Sequence, residues 1–251
     1  MLRFRHLALT FALLVSTAPA FAEDAAPTPA FTVTGGVTGV SQYRFRGASL
    51  SDEKPAIQGT INLNHASGFY VGTWASSLAG FGDFGGSHVE LDLYAGYGKE
   101  VASGVKLDGG VVYYVYPGVN GFDTDFFEPY LSLTAPVGPA AIKVGATYAP
   151  KQNAIGDKDN LYLFADPSFA VPNTPITLKA HIGRSMGEST LTFGGQNYWD
   201  WMVGVDAKLI GPLTAGVAYV DSSLKASDLG FDSYLRDQVD SAIVVTLGAS
   251  F

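Results

Sequence analysis

The sequence predicts an all-β protein: a closed antiparallel up-and-down transmembrane β-barrel of about 12 strands, the even-numbered architecture of outer-membrane barrels. Three observations predict it. Apolar residues recur at every second position from Phe31 to the last residue, short and long connections alternate strictly, and ionisable side chains keep to one of the two faces that the alternation defines. Lipid offers no hydrogen-bond partner to a peptide group, so a sheet that spans it must close on itself. Its outer face is then apolar, while a hydrated interior tolerates charge.

Composition agrees. Of 251 residues, 47% are hydrophobic, 13% aromatic and only 15% charged, against about 25% charged in globular chains. No run reaches the ~18 consecutive apolar residues that a spanning helix needs. The chain has no cysteine, which removes thiol catalysis, thiolate metal sites and disulfides. A net charge of −8 disfavours nucleic acid as a partner.

The elements follow in order. Arg3, Arg5 and His6 precede the apolar stretch Leu7 to Val15, which runs on to Ala20-Phe21-Ala22. A basic start, a short apolar core and a small-residue cleavage site predict a signal peptide over residues 1–22, the nine residues from Leu7 to Val15 being too few to span a bilayer. Its removal takes away Arg3 and Arg5 and moves the net charge from −8 to −10. Residues 23–30 (EDAAPTPA) read as a flexible periplasmic tether, and residues 31–251 as the barrel. The predicted location is the outer membrane of a Gram-negative cell.

Alternation marks the strands. In 31–46, Phe31, Val33, Val37, Tyr43 and Phe45 oppose Thr32, Thr34, Thr38, Arg44 and Arg46. In 88–97, Val89, Leu91, Leu93 and Tyr97 oppose Glu90, Asp92 and Tyr94. In 198–209, Trp199, Trp201, Val203 and Val205 oppose Asp200, Asp206 and Lys208. In 239–251, Ile243, Val245, Leu247 and Phe251 oppose Asp240 and Thr246. The remaining segments are 56–64, 69–77, 105–116, 126–135, 140–149, 160–169, 176–185 and 213–220; 69–77 and 160–169 carry bulky aromatics on both faces. Most have the ~9–11 residues of a tilted spanning strand. Short links at 65–68, 98–104, 136–139, 170–175 and 210–212 alternate with long ones at 47–55, 78–87, 117–125, 150–159, 186–197 and 221–238. A soluble sandwich has no reason to sort its loops in this way.

The polar faces carry Arg44, Arg46, Glu90, Asp92, Lys106, Asp108, Glu128, Lys143, Lys179, Asp200, Asp206, Lys208 and Asp240, the candidate pore-lining residues. The apolar faces hold almost no charge, Arg184 at a strand end being the exception. A Lys or Arg on the lipid face at midplane costs about 2–4 kcal/mol. Arg44 and Arg46 are expected to project from one face near the extracellular end of the first strand. They form either a basic constriction or a structural clamp to Asp240 on the last strand, because an unpaired buried Arg is expensive. Glu90 and Asp92 are expected to join Lys106 and Asp108 on the adjacent strand in an internal charge network. Tyr94, Tyr114, Tyr116, Tyr130, Tyr162 and Tyr198 share the polar phase, as stacking surfaces for a ring-bearing solute or as filling near the rim. Phe69, Tyr97, Tyr148, Trp199, Trp201, Tyr219 and Phe251 fall near strand ends, where interfacial aromatic girdles sit.

No catalytic arrangement stands out. His181 shares a face with Lys179 and Ser185, but the sequence places no Asp to orient it, and no GxSxG, HExxH, Walker A or calcium-loop pattern occurs. Neither an enzyme nor a cofactor is predicted.

The segment Tyr43 to Gly59 (YRFRGASLSDEKPAIQG) resembles the N-terminal motif of the TorF-type porin family, outer-membrane proteins formerly described as conserved hypothetical. SGFYVGTWAS (Ser67 to Ser76), VELDLYAGY (Val89 to Tyr97) and VVYYVYPG (Val111 to Gly118) are also similar to that family. The resemblance covers about the first half of the mature chain and implies a porin-like barrel, without a substrate or catalytic residues. A final amphipathic strand ending in Phe251 is similar to those of bacterial outer-membrane barrels, which implies recognition by the barrel assembly machinery. The acidic excess of the long loops suits divalent cations that bridge lipopolysaccharide, or solvation alone. The expected function is passive diffusion of small polar solutes through a mixed-charge lumen; the alternative is a closed structural or surface-interaction barrel. A lipase-like barrel dependent on His181 stands third.

Overall fold

The computed structural model describes residues 29–80, 86–119, 121, 123–193, 196–225 and 236–251. The predicted signal peptide and residues 23–28 of the tether lie outside the described residues. The strands are β1 (Phe31–Val40), β2 (Arg44–Phe45), β3 (Ala48–Ser49), β4 (Ala56–His65), β5 (Phe69–Ser77), β6 (Val89–Ala102), β7 (Val105–Val115), β8 (Phe126–Val137), β9 (Ala140–Gln152), β10 (Lys158–Ala170), β11 (Ile176–Gly187), β12 (Tyr198–Lys208), β13 (Leu213–Ser222) and β14 (Ala242–Ser250). Twelve of them close an antiparallel barrel in the order β1-β14-β13-β12-β11-β10-β9-β8-β7-β6-β5-β4, and β2 pairs only with β3.

The seam closes on the last residue. β1 and β14 pair from Gly36 opposite Ser250 to Val40 opposite Thr246. Gly35 and Phe251 then exchange both backbone hydrogen bonds, at 3.0 and 2.9 Å. The Phe251 ring lies on Gly35: a Cβ at position 35 would stand 2.8 Å from Phe251 Cζ and 2.8 Å from the Thr60 carbonyl. Only glycine lets the terminal ring lie across the seam.

Period two sorts the side chains as the sequence predicts. Ile61, Leu131, Val203 and Leu247 point outward and are more than half exposed, whereas Asn62, Ser132, Glu128 and Asp200 on the other phase are buried inside. Phe69, Tyr97, Tyr148, Trp199 and Tyr219 stand exposed towards the two rims of this apolar band. The end bearing both strand termini has the short turns, at 66–68, 103–104, 138–139, 171–175 and 209–212, and the opposite end has the long loops.

Two boundaries differ from the sequence reading in a way that matters. The first strand stops at Val40, not at residue 46, although alternation continues. Ser41 takes over the ladder there: its N–H donates to the Val245 carbonyl at 2.8 Å and its Oγ accepts from the Val245 N–H at 2.9 Å. The chain then turns into the bore, so Arg44 and Arg46 belong to an inserted hairpin and not to the barrel wall. At the other edge, β14 begins at Ala242, leaving Asp240 in the preceding loop, exposed.

Inside, the barrel has two zones. The long-loop half holds a packed apolar cluster that includes Tyr43, Leu50, Trp74, Tyr114, Tyr116, Phe126, Ile155 and Leu191. It combines inward-facing strand residues with residues of folded-in loops. The short-turn half is lined by polar and charged groups.

Candidate functional site

The site is the bore, and the inserted hairpin sets its shape. Phe45 and Ala48 face each other across Arg46-Gly47, which have φ of 47° and 90°. Positive φ at both central residues is the pattern of a tight type I′ hairpin, at a cost for a residue other than glycine. Gly47 presses against the opposite wall, where a Cβ would lie 2.7 Å from Ser222 Cβ and 3.1 Å from Asp200 Cβ. Behind the tip, Tyr43 stacks edge-on against Trp74 at 5.3 Å and Phe45 against Tyr114 at 6.3 Å.

Arg46 is the anchor. Its Nη2 donates to both carboxylate oxygens of Glu128, at 2.7 and 2.9 Å, and to Thr147 Oγ1 at 3.0 Å, while Nη1 donates to Asn160 Oδ1 at 3.1 Å. The guanidinium also lies 4.2 Å from the ring centre of Tyr162 and 4.7 Å from that of Phe45. One side chain thus ties the hairpin to β8, β9 and β10 in a site where its own exposure is 6% and that of Glu128 is 0%. Burial alone would lower the Arg46 pKa; the Glu128 carboxylate reverses the sign and holds it above its ordinary value.

Arg44 holds the base of the hairpin. It donates to the backbone carbonyls of Gly47 at 3.0 Å, Gln238 at 3.2 Å and Asp240 at 2.7 Å, and to the Glu53 carboxylate at 3.3 Å. The expected clamp to Asp240 therefore exists only through the Asp240 backbone, because that residue precedes the last strand. Burial lowers the Arg44 pKa, opposed by Glu53, Asp240 and Asp221.

The predicted network of Glu90 and Asp92 with Lys106 and Asp108 does not form. Antiparallel pairing sets Asp92 opposite Tyr114 but Asp108 opposite Gly98, so the two pairs occupy opposite ends of the barrel. Glu90 instead accepts a hydrogen bond from the Tyr43 hydroxyl at 3.0 Å. Lys106 faces Asp108 at 3.7 Å, and Lys179 pairs with Asp206 at 2.6 Å. Lys143 lies 5.6 Å from the Phe164 ring centre and opposite Asp166 in the register. Lys208 is exposed at the short-turn rim.

His181 is better partnered than the sequence indicates. Its Nδ1 meets Asp166 Oδ1 at 2.5 Å; its Nε2 meets Asp200 Oδ1 at 2.9 Å and the Tyr162 hydroxyl at 2.7 Å. With a carboxylate at each ring nitrogen, both nitrogens act as donors, the protonation pattern of an imidazolium. Ser185, on the same face, is instead bonded by Asn160 Nδ2 at 2.9 Å. The arrangement bridges β10, β11 and β12 as an ion cluster and lacks the Ser–His hydrogen bond of a triad.

Five of the inner tyrosines are tied down. Tyr70 donates to Asp108 at 2.8 Å and contacts the Tyr130 hydroxyl, Tyr94 donates to Asn62 at 2.5 Å, Tyr114 to Glu128 at 3.0 Å and Tyr162 to Asp200 at 3.0 Å. Asp166, Asn160 and Thr147 also join these contacts, although the sequence gives no sign of them. Asp166 lies in the segment whose aromatics obscure the phase, and neutral Asn and Thr carry no charge pattern to mark them.

Comparison with known proteins fits this architecture. Among curated proteins, none matches the chain. Among solved structures, the chain is similar to a KdgM porin in complex with disordered oligogalacturonate, at TM-score 0.56 and 10% identity, covering 88% of this chain and 98% of that one. It is also similar to the COG4313 outer-membrane channel from Pseudomonas putida F1, at TM-score 0.48 and 10% identity, covering 92% and 99%. At 10% identity the likeness to the KdgM porin is one of fold. Residues 24–251 match the family described as "Bacterial protein of unknown function (Gcw_chp)", and the chain belongs to that family.

Proposed function

We propose that the protein is a porin-like outer-membrane channel of the TorF type, passing small polar solutes by passive diffusion past a constriction made by the β2–β3 hairpin. The observation that carries the reading is the division of side chains: an apolar band outside a closed barrel and ion pairs such as Lys179–Asp206 inside it, partly exposed to solvent at 30% and 25%. An interior designed only to be filled has no need of half-solvated charges. The KdgM porin fold supports the same reading. In this account Arg46, Glu90, Asp92 and Glu128 define the narrow extracellular half. Asp200 sits beside the hairpin tip in that same half. Lys106, Asp108, Lys143, Lys179 and Asp206 line the wider periplasmic half, and Lys208 stands at its rim. Outer-membrane lipid and lipopolysaccharide surround the barrel, and the strand ending at Phe251 is the element offered to the assembly machinery.

The packed cluster around Leu50 and Ile155, with Arg46 locked to Glu128, favours a second reading, a barrel closed at rest. Planar-bilayer recording of purified protein separates the two. Discrete current steps support the channel, and silence supports the closed barrel.

A further inference from the structure

Beneath the long-loop end lies a cavity of about 150 Å³, bounded by Phe45, Glu90, Tyr116, Phe126 and Leu191 together with loop residues such as Phe193. A cavity of about this size in another protein admits benzene. Its wall is aromatic, yet it contains one carboxylate. Glu90 is 1% exposed. Its Oε1 accepts from the Tyr43 hydroxyl and Tyr116 also hydrogen-bonds the carboxylate, but neither of these partners carries a positive charge.

The charge balance around it is one-sided. Glu90, Asp92 and Glu128 are all buried here, and Arg46 is committed to Glu128. A buried carboxylate without a cation is costly. At the mouth, Thr124 lines the cavity between Asp123 and Asp125, so the approach is acidic as well. Among the described residues, no group of three or more acidic or histidine side chains converges as a metal cradle. A carboxylate oxygen inside an aromatic wall suits a different cation: an ammonium group attached to an apolar body, held by charge and by ring faces.

We propose that this cavity binds a small organic ammonium ion, an amine or quaternary ammonium bearing a group no larger than one ring, with Glu90 as its counter-ion. Occupancy is an equilibrium property and does not depend on whether the barrel conducts, so failure of one reading leaves the other standing.

The test is isothermal titration of the full folded barrel in a non-ionic detergent, with benzylammonium and with benzyl alcohol as its neutral counterpart. The expected result is saturable one-to-one binding of benzylammonium, weakened by about tenfold or more for benzyl alcohol and in Glu90→Gln, the loss that one charge-assisted hydrogen bond implies. Ala154 lines the cavity, and Ala154→Phe, which fills it, abolishes binding of both. Equal affinity for the two compounds, unchanged binding in Glu90→Gln, or no benzylammonium binding to the wild type overturns the proposal. Should Glu90→Gln not fold, the two compounds on the wild type and Ala154→Phe decide the matter.

Discussion

Arg46 and Glu128 lie 82 positions apart in sequence, and the guanidinium reaches both oxygens of the carboxylate from the tip of a hairpin that hangs in the bore. That contact ties the tip of the hairpin to β8. Arg46→Ala leaves a fully buried carboxylate without its cation, at a cost of about 3–5 kcal/mol. Arg46→Ala combined with Glu128→Gln is expected to recover part of the loss, read as the unfolding midpoint of the barrel on gels of heated and unheated protein. Equal losses in the single and double variants contradict the pairing.

The seam makes a second prediction. Gly35→Val drives a branched side chain into the Phe251 ring and the Thr60 carbonyl, and is expected to destabilise the folded band strongly. Gly39→Ala, whose Cβ meets nothing nearer than the Leu247 carbonyl at 4.0 Å, is expected to behave as wild type. Equal gel mobility transitions in both variants contradict the assigned closure.

Depth on the outer face provides a third. Leu131 lies midway along β8, Val137 at its short-turn end, and both are exposed. Leu131→Arg is expected to cost about 2–4 kcal/mol and Val137→Arg only about 0–1 kcal/mol, the depth dependence of a lipid-facing cation. Refolding into lipid vesicles over a urea series measures the difference; equal costs contradict the orientation of β8.

A fourth concerns the ion cluster. His181→Ala removes one positive charge from between Asp166 and Asp200. The middle of the bore is then more negative, and the reversal potential under a potassium chloride gradient is expected to shift towards cation selectivity. Asp166→Asn shifts it the other way. Identical reversal potentials in all three proteins place the cluster outside the conducting path.

The strand plan was legible because period two and loop length are local properties. β4, β5, β7 and β12 begin and end within a residue or so of the alternating segments, and the inner phase of Glu90, Glu128, Lys179 and Asp206 follows from pleating alone. What alternation does not encode is departure from the wall. Arg44 and Arg46 keep the right spacing for a strand while the backbone leaves the sheet at Ser41. The only local sign is the Arg46-Gly47 step, a turn-forming pair. Partner choice across the bore is equally silent: Arg46 meets Glu128, and His181 meets Asp166, through the curvature of a closed sheet, which no spacing along the chain records. The Glu90 and Lys106 pairs were misjoined for a related reason. Adjacency of strands says nothing about ends until the antiparallel direction is applied to each residue.

The central claim is that a hydrated passage runs through this barrel and that the Arg46 hairpin narrows it. Single-channel recording of wild type beside Arg46→Ala in the same planar bilayer tests it most directly. The account predicts small discrete steps for the wild type and larger ones for the variant; absence of steps in both, from protein shown to be folded by its heat-dependent gel shift, contradicts it.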